Sequence, residues 1–246
     1  MLTRRAAAIG GFSMTASALA GCASNDGPVP DLSSAPGGPD PRVADENAVG
    51  ARPLTKTLAR PDYQAIYGEY PGEKFPILAF DYTAVPQRYL RQTVVFPWAE
   101  PTGSIIVDPR GRHLYFVEEP GKATRYGVGV GREGFLWNGD AKVQFKRDWP
   151  DWVPPAEMIA RDPDIRAELE QTPRGLGVRG GPKSPLGARA MYLFRDKQDL
   201  GYRIHGTTEP ETIGTSVSSG CVRMVNQDIA NLYTRAQAGT PVTVLA

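Results

Sequence analysis

From Gly103 the pattern of apolar and polar positions becomes that of β-strands. Ser104 to Asp108 (SIIVD) and His113 to Val117 (HLYFV) flank Pro109-Arg110-Gly111-Arg112, and the pattern predicts a β-hairpin with a Gly-containing turn. Ala123 to Val130 (ATRYGVGV) predicts a further strand, weakened by its glycines. Ala190 to Arg195 (AMYLFR) and Tyr202 to His205 (YRIH) predict two more on either side of the polar Asp196-Lys197-Gln198-Asp199, and Pro241 to Leu245 (PVTVL) predicts a closing strand. Tyr89 to Phe96 (YLRQTVVF) reads as a strand leading into this region. One segment has clear helical spacing: Ile229, Ala230, Leu232, Tyr233 and Ala236 share a face, with Asn226 placed to cap it and Gly239 and Pro241 to stop it. A second helix is expected near Pro155–Glu170. Mostly β with one or two short helices, the pattern predicts a β-sandwich or partly closed barrel rather than a βαβ fold.

Upstream the pattern dissolves. Aromatics at Tyr63, Tyr67, Tyr70 and Phe75 predict that residues 61–100 pack on the domain as an extended segment, while the prolines there argue against regular structure. Residues 22–60 are rich in Pro, Gly, Ser and Asp and lack aromatics, the composition of a disordered tether. Residues 1–21 place Arg4 and Arg5 before an uncharged run from Ala6 to Ala20, the layout of a secretory leader, too short and too rich in Gly, Ser and Thr to span a bilayer. Leu19-Ala20-Gly21-Cys22 resembles the bacterial lipobox, in which the cysteine is lipidated and becomes the first mature residue; an ordinary signal peptide containing a cysteine is the alternative. Thr3-Arg4-Arg5 also resembles a loose twin-arginine signal.

Cleavage before Cys22 would remove two arginines and no acid, turning the formal charge from +1 to −1. With no basic stripe, nucleic acid is not an expected partner. Lipidation would also leave Cys221 as the one thiol of an exported chain, without an intramolecular disulfide partner: a buried bystander, an intermolecular bridge or a reactive group. Its surroundings favour the last. His205 follows a predicted strand, and an imidazole can take a thiol proton to produce the nucleophilic thiolate. Gly220 allows a tight backbone turn beside the sulfur, so that nearby amides could point at an oxyanion. Arg223 could hold a carboxylate as a bidentate pair. Singly, each residue has an ordinary structural explanation; together, in a chain with two histidines and one thiol after lipidation, they make a stronger signal. His113, the other histidine, is the competing base, expected to be a solvent-facing structural residue.

The stretch is similar to the signature of L,D-transpeptidases of the YkuD type. The matching residues are His205-Gly206-Thr207, Ile213-Gly214, and Ser218-Ser219-Gly220-Cys221-Val222-Arg223-Met224, with cysteine 16 residues after histidine. Pro185-Leu186-Gly187-Ala188-Arg189-Ala190 resembles the family's P-L-G-x-R-A segment. Many members carry histidine before the glycine where this chain has Ser219, which removes one imidazole but leaves the Cys221–His205 pair. The resemblance covers roughly residues 101–246, an ordinary domain size.

The resemblance implies a peptidoglycan enzyme. Cys221 would attack the amide between the L-centre of meso-diaminopimelate and the terminal D-Ala of a tetrapeptide stem, with His205 as general base and then acid. The amides of Gly220 and Cys221 would form the oxyanion hole. Arg223, Ser219, Gly206 and Thr207 form the candidate substrate-binding set, Arg223 either orienting the loop or binding a stem carboxylate. The thioester would pass to the amine of another stem or of a protein to be anchored. Water as acceptor would make an L,D-carboxypeptidase or hydrolase, and an inactive peptidoglycan-binding lipoprotein is the reading from outside enzymology. A papain-like protease is excluded because there cysteine precedes histidine. No metal or cofactor is expected. Lipidated Cys22 would hold the domain in the periplasm at a membrane, and Ala23 in place of aspartate favours the outer membrane. Trp137, Trp149 and Trp152 within residues 134–155 either wall the donor groove or fill space between core and helix.

Overall fold

The computed structural model describes residues 56–59, 61–131, 137–161, 163–218 and 220–246; the leader, Cys22, nearly all of the expected tether, and Ser219 lie outside these. Thirteen strands form among the described residues: β1 (Gln92–Val95), β2 (Ile105–Asp108), β3 (His113–Glu119), β4 (Lys122–Gly127), β5 (Val130–Gly131), β6 (Gly139–Asp148), β7 (Glu170–Thr172), β8 (Gly175–Gly177), β9 (Arg189–Arg195), β10 (Gln198–His205), β11 (Ser216–Ser218), β12 (Val222–Arg223) and β13 (Pro241–Val244). Three α-helices accompany them there: α1 (Tyr63–Ile66), α2 (Ala156–Arg161) and α3 (Asn226–Arg235). Nine strands make one sheet in the order β1-β4-β3-β2-β13-β6-β9-β10-β12. Its pairs are antiparallel except β2–β13 and β10–β12, which are parallel.

The sheet is not closed, since the edge strands β1 and β12 do not pair with each other. It nevertheless serves a single core. Ile105, Leu114, Tyr126, Val143, Met191, Leu193, Ile204 and Val222, from both wings of the sheet, pack in one cluster with Ile229 and Leu232 of α3. A reciprocal backbone pair joins the wings: Gly129 N–H donates to the Arg223 carbonyl, and Arg223 N–H donates to the Gly129 carbonyl. β5 pairs in parallel with β11 alongside this bridge.

The expected hairpin forms as β2–β3, with Ile105 opposite Phe116 and Val107 opposite Leu114. β6, ten residues long, was not expected. Its buried Ala141 and Val143 alternate with exposed Lys142 and Gln144, a period-2 signal diluted by the charged residues around it. The second helix is shorter than expected, six residues of α2 with a 3₁₀ stretch at Pro163–Glu168. The three tryptophans do not form one wall. Trp149 is buried with Phe75 and Ile77, Trp152 bridges to Val178 through its backbone, and Trp137 stacks on Tyr202 at the margin of the core.

Helix α3 is where the segment upstream of the sheet attaches. Tyr67, Val85, Tyr89 and Leu90 bury themselves against Ile213 and Val225, beside the start of α3. Gln227, 1% exposed, brings its amide within reach of the Tyr67, Gly68 and Leu78 carbonyls. Asp228, fully buried, accepts from the Tyr67 hydroxyl at 3.1 Å and lies 3.4 Å from Arg91 Nε. Burial raises its carboxyl to about 7, against the opposing pull of Arg91 and the Tyr67 hydrogen bond. Glu73 reaches both carboxylate oxygens to Arg189 at the start of β9.

A raised carboxyl stabilises the fold when protonated, so its contribution is complete below the unfolded value near 4 and is lost as pH rises through about 7. Thermal unfolding of Asp228→Asn and the parent protein between pH 4 and 8 should therefore show the variant gaining on the parent as pH rises, by up to about 1 kcal/mol per pH unit. A difference that stayed flat over this range would mean that Arg91 keeps Asp228 ionised throughout.

Candidate active site

The site is made by the parallel pairing of β10 and β12. Ile204 lies beside Val222 and His205 beside Arg223. Ile204 and Val222 are in the core cluster, so alternation turns Arg203 and His205 of β10 to the other face, together with Arg223 of β12. Cys221 immediately precedes β12, and continuing the register sets it beside Arg203 on that same face. Histidine and cysteine are thus placed diagonally across two strands on one face, although 16 residues separate them in the chain.

His205 is 4% exposed, and its Nδ1 lies 2.5 Å from the Gly206 carbonyl oxygen. A carbonyl only accepts, so Nδ1 carries the proton and Nε2 is the basic nitrogen. Burial, with the charges of Arg223 and Arg203, pulls the imidazole down to about 4 against the pull of the Gly206 hydrogen bond. Cys221 is half-buried. Burial raises its thiol above the usual value, over the opposing pull of the Arg203 backbone amide and of the Arg203 and Arg223 guanidinium groups. At neutral pH the resting site therefore holds a neutral imidazole and a thiol.

Around this pair the charges are fixed. Arg203 forms a two-pronged ion pair with Asp199 at 2.7 and 2.8 Å and lies 4.4 Å over the Tyr192 ring. Arg223 donates to Glu209 at 2.8 Å, tying the sheet to the loop that leads from His205 toward Cys221. A substrate carboxylate at this point would have to share Arg223 with Glu209. Gly220 has φ +110°, a backbone region that a residue with a side chain rarely adopts.

Two members of the candidate substrate-binding set have framework contacts. The Gly206 carbonyl holds His205, and Thr207 is 3% exposed, its hydroxyl accepting from Glu209 N–H and its carbonyl from Asn226. Ser219 lies outside the described residues. His113 is half-buried rather than solvent-facing, its Nε2 3.0 Å from the Arg88 carbonyl and its ring against Tyr89. Burial, then the Arg125 charge, pulls it to about 3. Among the described residues no group of three His, Cys, Asp or Glu side chains could hold a metal ion.

Sequence reasoning missed Arg203, Asp199, Glu209 and the Gly206 carbonyl. Arg203 was legible in principle, because it lies two residues before His205 on a predicted strand and so shares its face. Glu209 and Asp199 carry no sequence signal beyond charge.

The family model for the L,D-transpeptidase catalytic domain matches residues 102–244, more than half of the chain, and the chain belongs to that family. A probable L,D-transpeptidase, YbiS, of Escherichia coli K12 is 33% identical over 153 residues, covering 61% of this chain and 47% of that protein. A putative L,D-transpeptidase, YkuD, of Bacillus subtilis is 41% identical over 80 residues, covering 31% of this chain and 46% of that protein. The matched part of this chain thus spans about half the length of such curated relatives. A solved structure from Brucella melitensis, described as a probable carnitine operon oxidoreductase, is 45% identical, covers 67% of this chain and 98% of that one, and superposes with a TM-score of 0.45. An L,D-transpeptidase from Mycobacterium smegmatis is 14% identical over 66% of this chain and 69% of that one, with a TM-score of 0.44. Superpositions at these scores carry no functional weight.

The neutral pair has a measurable signature. Alkylation of Cys221 by iodoacetamide should be slow at pH 7 and keep accelerating through pH 9, because burial holds the thiol above its usual value. A rate already level by pH 7 would show instead a resting thiolate–imidazolium pair.

Proposed function

We propose that this protein is a peptidoglycan L,D-transpeptidase with Cys221 as nucleophile and His205 as general base and acid. One observation carries the reading: within a chain of this family, the β10–β12 register sets a thiol and a neutral, tautomer-fixed imidazole on one face of the sheet.

Sγ of Cys221 attacks the carbonyl carbon of the amide joining the L-centre of meso-diaminopimelate to the terminal D-Ala, and the thiol proton passes to Nε2 of His205. Amides of Gly220 and Cys221 receive the oxyanion. As the C–N bond breaks, Nε2–H protonates the departing amine of D-Ala, leaving a thioester. An acceptor amine then attacks, gives its proton to Nε2, and the thiol recovers that proton as the C–S bond breaks. Since Nδ1 stays bound to the Gly206 carbonyl, one nitrogen serves every transfer and the ring has no need to flip. The acceptor is the amine of a second stem or of a protein destined for the wall.

The protein works at a membrane facing that wall. The supporting observation is the order of Leu19-Ala20-Gly21-Cys22 after an uncharged run, with lipidated Cys22 as the anchor and Ala23 favouring the outer membrane. Cys22→Ser should move the protein from the membrane fraction to the soluble periplasmic fraction with activity on isolated stems retained. Its staying in the membrane fraction would overturn the anchor.

Intact-mass spectrometry with a disaccharide-tetrapeptide tests the chemistry. The parent protein should gain a tetrapeptide-minus-D-Ala adduct and form dimeric muropeptide, and Cys221→Ala should lose turnover by on the order of 10⁴-fold or more. Tripeptide without dimers would indicate water as acceptor and a carboxypeptidase. Stem binding with neither adduct nor product would favour a wall-binding lipoprotein.

A further inference from the structure

Asn226 stands where a helix cap was expected, and it does not cap. It is the first residue of α3; the capping position is Val225, which offers no side-chain bond. The Asn226 amide points away from its own helix to two distant segments. Oδ1 accepts from the Ala188 N–H at 3.0 Å, and Nδ2 donates to the Thr207 carbonyl at 2.9 Å. Ala188 lies within the Pro185–Ala190 segment and Thr207 within His205-Gly206-Thr207, so one side chain stitches both to the helix that follows Cys221.

The fit leaves no slack. A Cβ at Gly187 or at Gly206 would collide with Asn226 Oδ1 in either case. Glycine at both positions lets two backbones close on a single amide. The Gly206 N–H donates to the Arg189 carbonyl at 3.0 Å, and the His205 carbonyl accepts from Met224 N–H at 2.8 Å. These two bonds hold the peptide plane before Gly206, and Nδ2 on the Thr207 carbonyl holds the plane after Thr207, so the intervening Gly206–Thr207 plane, which carries the Gly206 carbonyl, is fixed from both ends. The direction of the Gly206 carbonyl, which decides the tautomer and tilt of His205, is what these bonds determine together.

We propose that Asn226 is a positioning residue that fixes the Nδ1-protonated tautomer and the ring orientation of His205 by holding the Gly206–Thr207 backbone. Asn226 touches neither the thiol nor the imidazole; it acts through the carbonyl between them and the helix. The inference rests on the acyl-transfer reading only for its kinetic arm.

The two histidines of the chain make the test self-controlled. His113 has its own carbonyl partner, Arg88, and no bond to Asn226, so its ring reports whether a variant is folded. Ring nitrogen spectra, with His113 assigned through His113→Gln, should be recorded on the full chain for the parent protein, Asn226→Ala and Asn226→Asp. Asp keeps an acceptor for Ala188 N–H but turns a carboxylate oxygen on the Thr207 carbonyl; Ala removes both bonds. In both variants His205 should lose its single Nδ1–H tautomer while His113 stays unchanged, with acylation slowed about 10²-fold and KM little altered. If Asn226→Ala fails to fold, Asn226→Asp decides by the same spectra. A folded variant whose His205 tautomer and acylation rate match the parent's would overturn the proposal. Absence of acylation in the parent protein itself would instead overturn the acyl-transfer reading, leaving the tautomer to decide for Asn226.

Discussion

The site depends on two adjacent residue pairs in parallel register, Ile204 with Val222 and His205 with Arg223. A slip of one residue would send Cys221 to the core side of the sheet and Val222 outward, because side-chain direction alternates with every residue. The register is held from both faces. Val222 and Met224 are buried on the inner side, while the reciprocal bonds between Arg223 and Gly129, and the bond from Met224 N–H to the His205 carbonyl, lock the backbone. An edge strand of two residues would otherwise be a weak place to hold a side chain in position. Here it is clamped between β10 and the loop that follows β4.

Helix α3 extends that clamp to the rest of the molecule. Its first three residues each reach a different piece of chain: Asn226 the loops at Ala188 and Thr207, Gln227 the carbonyls of residues 67, 68 and 78, and Asp228 the Tyr67–Arg91 pair. Buried Ile229 and Leu232 anchor the helix in the core shared by both wings of the sheet, each worth about 2 kcal/mol of apolar burial. Residues 61–91 are therefore bound to the same turn of helix that supports the site, and Ile213 from the loop between His205 and Cys221 shares their apolar cluster.

Much of this was readable from the chain, to a degree set by the physics of each signal. Strands with strong alternation or continuous apolar runs, such as Ile105–Asp108 and Pro241–Val244, declared themselves, and so did α3 through its buried stripe. The strand Gly139–Asp148 did not, because Ala141, Val143 and Phe145 are spaced among seven polar or glycine positions. The pairing of His205 with Cys221 was suggested by motif, but the parallel register behind it is a tertiary fact that no local pattern encodes. Asn226 shows the limit most clearly. A short polar side chain before an apolar stripe reads as a cap, and only the approach of two distant glycines reveals that its amide is used elsewhere.

That junction constrains how the sequence can drift. Gly187 and Gly206 cannot be enlarged one at a time while position 226 carries an amide, since the added carbon would land on its oxygen. Shrinking position 226 first opens room but strips the Ala188 N–H and the Thr207 carbonyl of their partners, at about 1–3 kcal/mol for each polar group left buried and unbonded. Every single step away from the present trio passes through a less stable or a colliding intermediate. Three positions from three separate stretches of chain thus behave as one inherited unit, exchangeable only together.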